Sequence, residues 1–99
     1  MTVTDNRERN RYELREDDQL VGYSEYHFYG DEVAFLHTEI GERFSGRGLG
    51  GEVVRAALDD VRSRGLRVLP YCPFVREWIG RHPEYLDLVP ETHRAMFDL

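Results

Sequence analysis

The chain has 99 residues, 40% of them hydrophobic, and a formal net charge of −6. That length suits one domain over 1–99 with one modest core, and that composition suits a folded globule, not a disordered tail. The charge argues against nonspecific nucleic-acid binding, which needs a basic surface, and no apolar run approaches the length of a membrane span.

The first six residues lack the basic and apolar regions of a signal peptide, so a soluble cytoplasmic monomer is expected. Thr2–Asn6, with Val3 and Thr4 β-branched, reads as a first strand. Arg11–Arg15 carries Tyr12 and Leu14 two apart, which is strand periodicity. Leu20–Tyr29 is rich in aromatics and reads as a long strand, and Gly30-Asp31 closes a hairpin. Val33–Ile40 is the next strand. Simple alternation puts Val33, Phe35 and His37 on one face and Ala34, Leu36, Thr38 and Ile40 on the other. Both faces are largely apolar, so a central position is expected.

Arg43-Phe44-Ser45-Gly46-Arg47-Gly48-Leu49-Gly50-Gly51 follows, then an apolar helical pattern at Val53, Val54, Ala57, Leu58 and Val61. Asp59 and Asp60 lie off that stripe. A glycine-rich turn that opens a helix exposes backbone N–H groups without intrahelical partners, in the positive field of the helix dipole. It can cradle a pyrophosphate, or it can simply cap the helix. Gly46, Gly48 and Gly51 formally match G-x-G-x-x-G. The acidic residue that a dinucleotide site needs is missing where the next strand-like run ends in Leu69-Pro70-Tyr71. No Lys-Ser or Lys-Thr follows the glycines, which excludes a P-loop.

Gly65 suits the left-handed position that ends the helix near Arg64. Leu66–Tyr71 is a short strand stopped by Pro70. Pro73 opens a second helix whose apolar face is Phe74, Val75, Trp78 and Ile79, and Gly80 and His82-Pro83 end it. Glu91–Phe97 suggests a last helical turn or two. The order is β-β-β-β-α-β-α, and the crossover makes the last two strands parallel.

Ser45-Gly46-Arg47-Gly48-Leu49-Gly50 resembles the acetyl-CoA loop of the GNAT superfamily of N-acetyltransferases, with Ser45 where Gln or Arg is usual. His37-Thr38-Glu39-Ile40, Pro70-Tyr71-Cys72-Pro73-Phe74 and His82-Pro83-Glu84-Tyr85 extend the resemblance to the very small, single-domain branch of that superfamily, over roughly residues 3 to 86. It implies an α+β fold: a mixed, mostly antiparallel twisted sheet with two parallel, splayed central strands. It implies acetyl-CoA as acyl donor, held by Ile40, Arg43, Ser45, Gly46, Arg47, Gly48, Leu49, Gly50 and Gly51. It also implies an amine acceptor, which the sequence does not identify. The helix Phe74–Ile79 has no Tyr, so the general acid common in the superfamily has no counterpart there.

Cys72 is the candidate that remains. It falls at the N-cap of the second helix, where the dipole and free N–H groups favour a thiolate. His37 is the imidazole that the fold could bring nearest, as its proton acceptor. Cys72 and His37 are therefore the expected catalytic residues, an acetyl-Cys72 intermediate is one route open to them, and Glu39 is an alternative base. A lone Cys is also often a small buried hydrophobe. The single cysteine excludes an intrachain disulfide, and the four histidines lack metal-ligand spacing, so no metal is expected. All 13 basic residues are Arg. The leading reading is an acetyl-CoA-dependent N-acyltransferase, and the alternative is a non-catalytic CoA- or acyl-CoA-binding module, a sensor or carrier.

Overall fold

The computed structural model describes residues 1–99. Its first four strands form an antiparallel meander: β1 (Thr2–Asn6), β2 (Arg11–Glu16), β3 (Gln19–Tyr29) and β4 (Glu32–Ile40). The turns between them use Asn10, Asp17 and Gly30 at positive φ, residue types that tolerate the left-handed region. Helix α1 (Leu49–Ser63), strand β5 (Arg67–Pro70) and helix α2 (Pro73–Arg81) follow. β5 runs parallel to β4, and the sheet order is β1-β2-β3-β4-β5. The expected order of elements and the mixed, mostly antiparallel sheet are both observed. The parallel pair lies at one end of the sheet, with β5 as its edge, and not at the centre that the sequence suggests.

Both helices pack on one face of the sheet. Val53, Val54, Ala57, Leu58 and Val61 form the buried stripe of α1 and join Leu14, Val21, Tyr26, Val33 and Phe35 in one core. Each buried Val, Leu or Phe among them contributes about 1.5–3 kcal/mol. The N–H of Leu66 donates to the carbonyl of Val61, and that of Gly65 to Arg62, at 3.1 and 3.0 Å. With Gly65 at φ 69°, this pair of bonds is the motif that ends α1.

The acids beside the stripe tie α1 to the sheet. The Tyr12 hydroxyl donates to Asp60 at 2.7 Å, and Arg64 reaches both Asp60 and Asp5 at 3.0 Å. The Tyr26 hydroxyl donates to Asp5. Burial, then the adjacent carboxylates, push both tyrosine hydroxyls well above their ordinary titration range.

The alternation expected for β4 holds only to Phe35. Tyr26 lies opposite Phe35 but Glu25 lies opposite His37, so Leu36 is the extra residue of a β-bulge. Every face beyond it is exchanged. Thr38 now points to the helices, where its hydroxyl lies 2.9 Å from that of Ser24. His37 points to the opposite, outer face with Glu39. The C-terminal segment forms 3-10 turns at Pro83–Leu88, Glu91–His93 and Ala95–Phe97, and Phe97 packs edge-on against Tyr71.

Candidate functional site

Between β4 and α1 the chain makes a 3-10 turn (Glu42–Phe44) and then runs through Ser45 to Gly48. Gly46 and Gly48 have φ of 81° and 71°, and both are open to solvent where a Cβ would stand. The backbone N–H groups from Gly46 to Gly51 donate to no protein acceptor. Six consecutive unpaired donors at a helix N-terminus are the fit expected for a pyrophosphate. Arg47 pairs with Glu16 at 3.2 Å, and the Arg43 guanidinium lies over the Phe44 ring without an ion-pair partner. An open cavity of about 720 Å³ beside the loop is lined by Gln19, Leu20, Gly41, Glu42, Arg43 and Phe44.

Gly50 and Gly51 have a different reason to be glycine. A Cβ on Gly50 would stand 2.6 Å from the ring tip of Phe74, and one on Gly51 3.2 Å from the indole nitrogen of Trp78. These two glycines let α1 approach α2. Gly46 and Gly48, by contrast, border open space.

The second part of the site is a gap. β5 pairs with β4 from Glu32 to Phe35 and no further. The Cys72 N–H donates to the carbonyl of Phe35 at 2.7 Å, and there the two segments part. The Gly41 N–H donates to Val21 on β3 at 2.8 Å. By the alternation of an antiparallel ladder, the peptide groups of Thr38 and Ile40 then face the edge that β5 has left. Half-buried Ile40 ends this free edge, and the glycine loop begins beyond it.

Cys72 is the N-cap of α2, and Pro73 follows at the first helical position. Its side chain is 2% exposed and donates to the Thr38 hydroxyl at 3.5 Å. Thr38 in turn bonds Ser24, which is fully buried, so a short polar chain runs from the thiol beneath the sheet.

His37 does not pair with Cys72. Its ring nitrogen lies 3.3 Å from a Glu39 oxygen, on the outer face, with the side chain 53% exposed. The Tyr23 hydroxyl donates to Glu39 at 3.4 Å. The physical cause is the bulge, which turns His37 away from the face that Thr38 shares with Cys72. The two residues therefore flank the free edge of β4 from opposite faces. Alternation alone cannot reveal this, because an extra residue in a strand leaves no mark in composition. The same blindness hid Thr38 and Ser24.

The remaining aromatics stand elsewhere. Tyr85 donates to Asp59 at 2.7 Å, accepts from Arg55 and packs edge-on against Trp78. His82 stacks on Trp78 with ring centres 3.8 Å apart, and its Nδ1 lies 2.7 Å from the Trp78 carbonyl. No helix is long and apolar enough to cross a membrane.

Comparisons with known proteins converge on one family. The family profile described as GCN5-related N-acetyl-transferase matches residues 11–88. The chain is 31% identical to Protein NATD1 of Bos taurus over 65 residues, which cover 63% of this chain and 58% of the bovine protein. It is similar in fold to the NMR solution structure of a GCN5-like protein from Staphylococcus aureus. That likeness has a TM-score of 0.69 at 18% identity and covers 90% of this chain and 87% of the other.

Proposed function

The chain belongs to the GCN5-related N-acetyltransferase family, and from that premise we propose that it transfers an acetyl group from acetyl-CoA to an amine at the gap between β4 and β5. One observation carries the reading. The unpaired amides of Gly46–Gly51 are joined, along the free edge of β4, to a point flanked by Cys72 and His37.

In this reading the loop amides, with Arg43, Ser45, Arg47 and Leu49 around them, hold the pyrophosphate. Peptide groups of Thr38 and Ile40 pair with the pantetheine arm. The acceptor nitrogen forms its bond to the acetyl carbon as the carbon–sulfur bond breaks. His37 takes the proton that the amine loses, and Glu39 orients the ring and stabilises its cation. Cys72 gives its proton to the departing thiolate. The Thr38 hydroxyl, which accepts from the thiol, fixes its direction, and the thiol is reprotonated from solvent once the products leave the gap. Direct transfer suits the geometry best, because the imidazole and the thiol lie on opposite faces of β4.

A covalent route is the second reading, favoured by the position of Cys72 at the mouth of the gap. The two are told apart by mass spectrometry after mixing with acetyl-CoA alone. The covalent route gives a mass gain of about 42 Da on Cys72, roughly one acetyl group, and the direct route gives none. The test of the function itself is release of free CoA thiol on adding an amine panel. A protein that binds CoA and releases none with any amine is a binding module, a sensor or carrier, and not an acyltransferase.

A further inference from the structure

We infer that the acyl acceptor is a primary amine carried on an apolar stem, and that the stem lies in a groove on the outer face of β4 and β5. The inference rests on the acyltransferase reading above. The groove has a volume of about 530 Å³, and Leu36 and Tyr71 form one end of it. Leu36 is the residue that the bulge adds, and the bulge turns His37 onto the same face beside it. Tyr71 directly precedes Cys72. The groove therefore opens one residue from each proposed catalytic side chain.

From there it runs over Ala34 and Leu69 to Tyr29 and Glu32. Glu32 lies four residues along the strand from Leu36, a reach of about 13 Å. Leu36 is 47% exposed and Tyr71 48%, large apolar surfaces left uncovered in a continuous concave patch. Such a patch beside convergent polar groups is the usual form of a small-molecule site. The charges decide which amine fits it. Near the gap, Glu39 stands beside His37 and favours a cationic head. Beyond that point five of the seven lining residues are apolar, Tyr29, Ala34, Leu36, Leu69 and Tyr71, and the polar ones, Glu32 and His93, leave no carboxylate partway along the stem. A polyamine needs a carboxylate partway along its stem, and a lysine within a basic peptide needs more than one. An alkyl or arylalkyl amine needs neither.

The experiment is acetyl transfer followed by CoA thiol release, across ethylamine, butylamine, hexylamine and phenethylamine, with spermidine and a lysine peptide as rivals. The value of kcat/KM should rise about fourfold per methylene, the rate equivalent of burying one CH₂ group. The rise should continue through hexylamine, whose stem is shorter than the distance to Glu32. Leu36→Asp should bring the hexylamine-to-ethylamine ratio toward one, and Tyr71→Ala should do the same if the first variant does not fold. A flat series, or a preference for spermidine or the peptide over hexylamine, overturns the apolar stem and leaves the acyltransferase reading intact. A protein that binds CoA and acetylates none of these amines overturns both.

Discussion

Replacing Gly48 by Glu tests the loop most directly. Gly48 sits at φ 71° and ψ 20° as the N-cap of α1, and nothing lies within 4 Å of where its Cβ would stand. The added side chain therefore meets no steric obstacle, and the cost is that of left-handed backbone alone. For an L-residue this is about 1–2 kcal/mol. In a domain of this size that lowers Tm by roughly 5–15 °C. Wild-type protein with CoA at about 100 times its Kd should gain about 2.7 kcal/mol, or roughly 10–20 °C. The introduced carboxylate stands beside the free amides of Gly46–Gly51 and repels the pyrophosphate, so this gain should vanish. Gly48→Asn tolerates the same backbone without a charge and should keep most of it. The assay is thermal melting with and without CoA. A cooperatively folded Gly48→Glu protein with the full wild-type shift would refute the assignment of the loop. Gly50→Glu is not an equivalent test, since its side chain would strike Phe74 first.

Cys72→Ala should keep the CoA-induced shift and lower acetyl transfer about 10²–10⁴-fold, the usual range for loss of an acid–base group; full turnover would remove the thiol from the chemistry. Tyr12→Phe loses a hydrogen bond to the Asp60 carboxylate and should cost about 1.5–3 kcal/mol at neutral pH by urea unfolding. The native protein holds the Tyr12 and Tyr26 protons that the unfolded chain gives up near pH 10. Their contribution is therefore complete below about pH 10 and falls as pH rises further, and Tyr12→Phe should flatten that alkaline limb. Burial pushes the Glu13 carboxyl up, but hydrogen bonds from Arg11, Arg15 and Asn6 outweigh it and hold it below its usual range. Its contribution is complete above about pH 4.5 and falls as pH drops through the lower native value; an acid limb unchanged in Glu13→Gln would contradict this.

Most of the fold could be read from local chemistry. Proline at the first turn of α2, glycine after α1 and the apolar stripe of α1 each act within a few residues, and each element they mark is present. What escaped depends on partners far along the chain. The bulge at Leu36 is set by pairing with β3, and it decides that His37 and Cys72 look away from each other. Gly50 and Gly51 read like Gly46 and Gly48, yet the first pair is fixed by Phe74 and Trp78 on another helix and the second by backbone angle. The edge position of β5 reflects a C-terminal segment of short turns, whose residues carry no strand periodicity.

The sheet order repeats the chain order, which bears on how the molecule forms. Each of the first three strand pairings closes only a short loop, at little entropic cost. Contacts are therefore mostly local, and folding on the fast side for a mixed domain is expected. The contacts that span the chain are of another kind: Asp5 with Arg64 and Tyr12 with Asp60, 59 and 48 residues apart. They can form only once α1 has settled on the meander. Weakening them should speed unfolding and leave the refolding rate nearly unchanged, so the two ends of the molecule are held less by how it folds than by how slowly it comes apart.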